Sequence, residues 1–368
     1  MKLEGVRVVD LTAFLPGPFL TQALADHGAE VIKIEAPEGD PSRHIGLADG
    51  PSTVYFRCLN RGKKSVVLNL KQPRDCEALR ALCDSADVFV EGFRPGVAAR
   101  LGLGHEVLRA RNPRLVYCSL SAFGQDGPYR DRPAHDLAVE ALAGVLSITL
   151  GANGEPAMPG IPAADIIAAL QGLAGVLMAL VRRATTGRGD YLDISLQECL
   201  VTALPNVLGP TLAEDRQPEV KSERTTGGGA LYRVYRTRDG RHVALGGQEM
   251  KFVRVLLEAL GRPDFIPLCE RGPGTHQQPV IAFLSETFLT KTRDEWEEWL
   301  RKLDVCYGPV NTLPEALADS QLVARGTVVR DEVGRRHLGS PIRFCEEPGR
   351  ADFHEPSLGE HNEEYVWP

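Results

Sequence analysis

A strand, a helix and a second strand follow one another at the start of the chain, and this order limits the folds open to it. Val6–Leu11 and Glu30–Glu35 are short β-branched segments, and between them Pro16-Gly17-Pro18 precedes a stretch that ends at Gly28. Pro at the start and Gly just past the end are typical of a helix. Two strands joined through a helix pair in parallel with a right-handed crossover. The segment therefore predicts an α/β fold.

The alternation of strands and helices continues along the chain. Further strands are predicted at Lys64–Asn69, Asp87–Glu91, Leu115–Ser119 and Tyr191–Ser195. The loop after the first strand lacks the Gly-x-Gly-x-x-Gly turn that holds a dinucleotide pyrophosphate, so NAD is not expected. Ligands of such sheets bind beyond the carboxyl ends of the strands.

The sequence divides into two domains. Residues 1–212 form a large Rossmann-like domain with a parallel sheet, and residues 213–225 are a polar, charged linker. Residues 226–309 contain a hairpin signal at Arg238–Arg241 followed by helical segments, which predicts a smaller α+β domain. Residues 310–368 return to the large domain.

Composition excludes several classes of function. The net charge is −7 without a long basic block, so nucleic acid is not an expected partner. The eight Cys residues have no zinc spacing, which predicts reduced thiols and no metal site. The apolar run Ile166–Val181 is shorter than the ~20 residues that span a bilayer. It predicts a buried helix, with small residues that allow close packing. No signal-peptide pattern precedes the first strand, so a cytoplasmic protein with no membrane partner is expected.

Two titratable side chains, His135 and Asp165, flank a glycine-rich turn before this apolar run. Asp165 is at the predicted N-cap of the helix, where a carboxylate accepts backbone N–H bonds. Such an Asp is commonly only a cap, and a His-Asp dipeptide such as His135-Asp136 is commonly a structural pair. A proton-transfer site is the alternative.

A set of motifs occurs in order along the chain: Asp10-Leu11-Thr12, Pro16-Gly17-Pro18, Gly28–Glu35, Asn69-Leu70-Lys71, Glu91–Gly96, Leu101-Gly102 and Thr186–Gly189. With these motifs the chain resembles the family III CoA-transferase and α-methylacyl-CoA racemase family over nearly its whole length. The resemblance implies a Rossmann-like large domain, a small domain and two subunits interlocked as a homodimer. It also implies an acyl-CoA substrate, with no cofactor besides the CoA of the substrate.

The resemblance implies one of two chemistries. In the transferases an aspartate at the position of Asp165 attacks an acyl-CoA to form a mixed anhydride. The racemases use the same aspartate for proton transfer and add a histidine and a glutamate, which His135 and Glu249 match. The transferases tend to have Tyr in place of His135 and a longer glycine-rich loop than Gly227–Gly229. The chain is therefore closer to the racemase branch.

Inversion of the α-carbon requires acid/base groups on both of its faces, with pKa values that differ. We expect Asp165 on one face and His135, supported by Glu249, on the other. Backbone N–H groups at the start of the Ile166 helix are expected to bind the enolate oxygen. The predicted function is racemisation of a 2-methyl-branched acyl-CoA. A CoA-transferase is the alternative, and a CoA-binding protein without catalysis is a third possibility.

The resemblance also implies the residues that bind CoA: Leu68, Asn69, Leu70, Lys71, Gly92, Phe93, Arg94, Arg100, Ala134 and Asp136, with the segment reaching Val139. Lys71, Arg94 and Arg100 are cations suited to phosphate, although each could equally be a surface charge. Some relatives have Arg after the second strand, where this chain has Ala36. Arg43 is the candidate replacement.

Overall fold

Six parallel strands form the main sheet of the computed structural model, which describes residues 1–151 and 153–366. The strands are β1 (Arg7–Leu11), β2 (Glu30–Glu35), β3 (Lys64–Val67), β4 (Val88–Glu91), β5 (Val116–Ser121) and β6 (Tyr191–Ser195). Their order across the sheet is β3-β2-β1-β4-β5-β6, and every neighbouring pair is parallel. The predicted α/β fold with a parallel sheet is confirmed. The strand order reverses between β1 and β4, which is the switch point where ligands of such sheets bind.

Helices cover both faces of this sheet. Those of the first 203 residues are α1 (Pro16–Asp26), α2 (Val54–Asn60), α3 (Pro73–Asp84), α4 (Val97–Arg100), α5 (His105–Arg111), α6 (Asp136–Leu142), α7 (Val145–Ile148), α8 (Ala163–Thr186) and α9 (Leu196–Thr202), with a 3-10 turn at Pro41–Arg43. Val8 of β1 packs in one core cluster with Leu20 of α1 and Ala169 of α8. Its neighbour Val9 packs with Leu79 of α3 in a second core cluster. Successive side chains of a strand point to opposite faces, so the strands are apolar on both sides.

Helix α8 is longer than the apolar run that predicted it. It begins at Ala163 and continues through Arg183, which forms an ion pair of 2.7 Å with Asp87. It ends at Thr186, before Gly187, whose φ is +68°. Close packing is confirmed at Gly172 and Gly175, where an added Cβ would lie 2.8 Å from a side-chain atom of Leu20 and 2.5 Å from one of Leu192.

The prediction that α8 is buried is correct for one face only. Leu170, Met178 and Val181 are 50%, 67% and 74% exposed. With 24 residues, α8 is long and apolar enough to cross a membrane by length and composition alone, contrary to the expectation from the shorter run. The helix packs along α1 and the sheet. Core helices of soluble proteins can have the same length and apolar composition.

A second compact unit contains residues 147–157 and 204–319. Its elements are α10 (Gly209–Glu214), β7 (Tyr232–Arg236), β8 (His242–Gly246), α11 (Met250–Ala259), α12 (Ile266–Glu270), α13 (Gln278–Phe288), α14 (Arg293–Leu300), β9 (Tyr307–Pro309) and α15 (Leu313–Leu317), with 3-10 turns at Pro263–Phe265 and Thr275–Gln277. The strands pair antiparallel in the order β7-β8-β9. Tyr235, Phe288 and Trp296 form the aromatic centre of its core.

Helices α9 and α10 are separate elements. Helix α9 ends at Thr202, because Pro205 disfavours helical backbone in the residue before it. The second unit starts nearby, at residue 204, whereas the sequence placed the linker at 213–225.

The end of the chain belongs to the larger unit, which it rejoins at residue 320. It contains α16 (Ser320–Ala324), β10 (Val328–Arg330), β11 (Arg336–Leu338) and α17 (Asn362–Tyr365). The Tyr365 hydroxyl donates to Glu30 of β2 at 2.6 Å, and the Val67 N–H of β3 donates to Asn362 at 2.8 Å. The last turn therefore fastens the chain end to the sheet.

Candidate active site

Two adjoining clefts lie at the carboxyl edge of the six-stranded sheet. The larger, of about 780 Å³, is lined by the loops that follow β1, β2, β3 and β4. The smaller, of about 250 Å³, is lined by the loops after β1, β4 and β5 and by residues at the starts of α6 and α8. The residues common to both are Thr12, Ala13, Phe14, Gly92 and Phe93. Because β1 and β4 flank the switch point, both clefts lie where the strand order predicts a ligand.

A buried ion network supports the wall between the clefts. Asp10 accepts from the Thr12 hydroxyl at 2.5 Å and from Lys63 Nζ at 3.1 Å. Lys33 Nζ donates to the Thr12 carbonyl at 3.0 Å. Burial alone would raise the pKa of Asp10, but the charges of Lys63 and Lys33 lower it to about 2. Asp10 is therefore ionised at neutral pH and holds the loop that begins at Thr12.

Phe14, which belongs to this wall, has a strained backbone conformation. Its φ is +64°, in the left-handed region that non-glycine residues rarely adopt. Its backbone N–H lies 3.5 Å from Oδ1 of Asp40, which in turn forms an ion pair of 2.8 Å with Lys33. Its ring stands edge-on to the ring of His135, with the two centroids 6.3 Å apart. The network thus presents an aromatic ring to both clefts.

Asp165 lines the small cleft, but it is not the N-cap of the helix. The N-cap of α8 is Pro162, and Asp165 is the third helical residue. Its backbone N–H donates to Asp136 Oδ1 at 3.0 Å, and the N–H of Ala163 donates to Glu140 Oε1 at 2.9 Å. Two neighbouring carboxylates therefore cap this helix, and Asp165 is left to face the cleft.

Those two carboxylates also change the acidity of Asp165. Burial raises the pKa of Asp165, and the negative charges of Asp136 and Glu140 raise it further, to about 7. Both effects disfavour the ionised form. A carboxyl group that titrates near neutral pH can either accept or donate a proton there.

The expected oxyanion site at the start of this helix is wrong. The N–H of Ala163 and that of Asp165 are bound by carboxylates, and the Ile166 N–H donates to the Pro162 carbonyl at 3.1 Å. The Ala164 N–H also stabilises the Glu140 charge. The first-turn donors are satisfied within the protein, so they are not free to bind an enolate oxygen.

His135 lines the same small cleft as Asp165. It is the N-cap residue of α6, with extended backbone, and its side chain is exposed. The next residue, Asp136, is turned back toward the start of α8. The structure thus separates the His-Asp dipeptide into one residue at the cleft and one that supports Asp165.

The residues predicted for CoA binding divide among several places. Leu68, Asn69, Leu70 and Lys71 line the large cleft, Arg94 and Ala134 line the small one, and Gly92 and Phe93 line both. Arg100 and Asp136 line neither.

Two further expectations about CoA binding are corrected. Val139 is fully buried in a core cluster with Ala164 and Leu196, so it cannot contact a ligand. Arg43 is held by Glu35, with which it forms two hydrogen bonds of 2.7 Å. It does not replace the missing arginine after β2.

Glu249 belongs to the second compact unit, where it is the N-cap residue of α11 and is exposed. Within the described residues 1–151 and 153–366, no group of three His, Cys, Asp or Glu side chains is arranged to hold a metal ion.

Sequence reasoning missed several residues of the small cleft. Phe14, Ser121, Arg130 and Arg132 line it, and Glu140 acts on Asp165 from behind it. Glu140 could have been found, because it follows Asp136 by four residues on a helix and therefore shares its face. Nothing in the sequence marks Ser121 among the other serines.

Comparison with known proteins agrees with the fold. Residues 3–362 match the family model described as CoA-transferase family III. Succinyl-CoA:glutarate CoA-transferase of Mus musculus is 32% identical, over 98% of this chain and 84% of its own length. Alpha-methylacyl-CoA racemase of Homo sapiens is 34% identical, over 100% of this chain and 93% of its own.

A solved structure of a CaiB/BaiF family protein from Brucella suis superposes with a TM-score of 0.85, at 32% identity, over 98% of this chain and 97% of that one. Both transferases and a racemase are therefore similar to it at nearly equal identity. The chain belongs to CoA-transferase family III, an enzyme family that also contains α-methylacyl-CoA racemase.

Proposed function

We propose that the protein is an acyl-CoA racemase that inverts the α-carbon of a 2-methyl-branched acyl-CoA. One observation carries the proposal: Asp165 and His135, two acid/base groups of different kinds, line one small cleft, and Asp165 has a pKa of about 7. A nucleophilic carboxylate works best when it is fully ionised. A pKa near the working pH suits proton transfer better.

The two clefts suggest how the substrate binds. The large cleft has a volume typical of ligand sites and offers Lys71 to a phosphate group, so we assign it to the nucleotide part of CoA. The small cleft would then hold the thioester and its α-carbon. Arg94 lies on the wall of the small cleft. It is placed to bind an anionic group of CoA that lies between the nucleotide and the thioester.

The reaction proceeds in two proton transfers. One of the two groups removes the α-proton, and the electron pair of the broken C–H bond moves into an enolate whose charge rests on the thioester oxygen. The other group then protonates the opposite face of the same carbon. Asp165 serves one face and His135 the other. Glu249 supports the imidazolium of His135, a role that rests on the resemblance of its segment to the racemases.

The first experiment is proton NMR of the protein with a 2-methylacyl-CoA in D₂O. Loss of the α-proton signal and accumulation of both epimers, with no second acid present, is the expected result. No exchange, together with formation of a new acyl-CoA when succinate or oxalate is added, would refute the racemase. His135→Ala is expected to abolish the interconversion of the two epimers, and Glu249→Ala to slow it.

The second candidate function is CoA transfer between carboxylic acids, through a mixed anhydride on Asp165. It is favoured by the relatives, since proteins named as CoA-transferases from Mus musculus and Agrobacterium fabrum are 32% and 34% identical. Hydroxylamine separates the two functions, because it traps an acyl-Asp165 adduct only when a covalent intermediate forms.

We also propose that the chain is a homodimer. The exposed apolar side chains Leu170, Met178 and Val181 on α8 support this proposal, because a monomer rarely exposes a large apolar patch. Light scattering coupled to size exclusion would give twice the mass of the chain. A monomer at micromolar concentration would contradict it.

A further inference from the structure

Ser121 carries a buried hydroxyl that the fold leaves unpaired. It is the last residue of β5 and is 8% exposed, and its Oγ has no hydrogen-bond partner among residues 1–151 and 153–366. It lines the small cleft together with Asp165 and His135. A buried polar group without a partner costs free energy, so such groups are rare and call for an explanation. A hydroxyl in the wall of a cleft can be satisfied by a ligand.

The proposed reaction needs a hydrogen-bond donor at this place. An enolate oxygen is stabilised by donors that are fixed before the charge develops. The N–H groups at the start of α8 are already bound, and the Thr12 hydroxyl on the same cleft donates to Asp10 at 2.5 Å. These groups are committed to the protein.

The arginines of the small cleft are less suited to this role. Arg94, Arg130 and Arg132 are exposed, so water competes for their donors. Hydrogen bonds to a developing charge are strongest where water is excluded. Ser121 is the lining hydroxyl that is both buried and uncommitted among the described residues of this cleft.

The backbone around Ser121 is fixed. Ser121 pairs in register with Ser195 of β6. The carbonyl of the next residue, Ala122, accepts from the Gln197 N–H at 3.1 Å, and the Gln125 N–H donates to Asp193 Oδ2 at 2.9 Å. A donor on such a support requires little rearrangement during the reaction.

We propose that the Ser121 hydroxyl donates a hydrogen bond to the thioester carbonyl oxygen and stabilises the enolate that forms on it. Ser121 keeps its proton throughout, and no covalent bond to it is made. This inference rests on the proposed function, because it assumes that the α-carbon of an acyl-CoA reacts in the small cleft.

Ser121→Ala tests the inference in the exchange assay. We expect kcat to fall about 100-fold, as for the loss of one oxyanion donor, with KM changed less than threefold. Ser121→Thr retains the hydroxyl and should recover part of kcat. The melting temperature of Ser121→Ala should equal that of the wild type, because the lost hydroxyl has no partner in the fold.

Ser195→Ala is the matched control on the neighbouring strand. The Ser195 hydroxyl caps α9 by accepting from the Glu198 N–H at 3.3 Å, so this variant should melt earlier and retain its kcat. A wild-type kcat in Ser121→Ala would overturn the inference, as would a loss of kcat that merely follows a loss of stability.

Infrared spectroscopy of bound acetyl-CoA, labelled with carbon-13 at the carbonyl, gives a readout that needs no turnover. The carbonyl stretch should lie at lower frequency in the wild type than in Ser121→Ala. Equal carbonyl frequencies in the wild type and Ser121→Ala would show that Ser121 does not contact the thioester oxygen. If the wild type exchanges no α-proton but the frequency still depends on Ser121, the contact stands and the racemase function fails.

Discussion

The backbone N–H of Asp165 donates a hydrogen bond of 3.0 Å to Oδ1 of Asp136, so the carboxylate that holds Asp165 in place also faces it with a negative charge. The position and the acidity of Asp165 are therefore set together. Glu140 lies one turn away on α6 and acts in the same way. It accepts a hydrogen bond from the Ala163 N–H and adds a second negative charge near Asp165.

Asp136→Asn should separate the two effects. Asn retains an oxygen that can accept the Asp165 N–H, but it removes the negative charge. We expect the pKa of Asp165 to fall, and the acid limb of the kcat/KM profile for proton exchange to move to lower pH by roughly one unit.

The pH–rate profile between pH 4 and 9 measures this shift. Glu106→Gln, which removes an exposed carboxylate on α5, is the control and should leave the profile in place. An unchanged acid limb in Asp136→Asn would show that Asp136 does not set the acidity of Asp165.

Asp165→Asn should make the protein more stable at neutral and alkaline pH. The pKa of Asp165 is about 7 in the folded state, whereas the ordinary value of an Asp is 3.8. Between pH 3.8 and pH 7 the folded state therefore keeps a proton on Asp165 that the unfolded state has already lost. The stability that protonated Asp165 contributes is complete below pH 3.8 and is lost as pH rises through 7.

The stability difference between Asp165→Asn and the wild type should therefore be small near pH 4, grow up to pH 7 and stay constant above it. Urea unfolding at a series of pH values measures it. Asp126→Asn, at an exposed position, controls for the loss of one charge. A difference that does not depend on pH would contradict the raised pKa.

Phe14 offers a test of backbone strain in the wall of the clefts. Phe14→Gly and Phe14→Ala both remove the ring, but only Gly adopts a φ of +64° without a steric cost. We expect Phe14→Gly to be more stable than Phe14→Ala by about 1 kcal/mol, the reverse of the usual order. Thermal unfolding of the two variants decides this, and an Ala variant of equal or higher stability would show that the backbone is not strained.

The sequence predicted the parallel sheet and the strand positions well, because β-branched segments and Pro/Gly punctuation are local signals. Glu30–Glu35 and Tyr191–Ser195 have the predicted bounds. The ends of α8 were harder to place. The apolar run that predicted this helix stops at Val181, yet the helix continues through Arg183, which is buried against Asp87, a partner 96 residues away.

The candidate site could be predicted from the sequence only in part. That His135 and Asp165 line one cleft was inferred from their resemblance to known motifs. The capping of α8 by Asp136 and Glu140 depends on how two helices meet, and spacing alone does not show it. The free hydroxyl of Ser121 is recognisable only once every neighbouring donor has been paired.

The most direct test of the central claim uses the separated 2R and 2S epimers of a 2-methylacyl-CoA in D₂O, with the wild type, His135→Ala and Asp165→Asn. The wild type should exchange the α-proton of both epimers. Each variant should lose exchange with one epimer and retain it with the other, and the two variants should affect opposite epimers. If both variants lose the same epimer, or if neither discriminates between them, Asp165 and His135 do not serve opposite faces of the α-carbon.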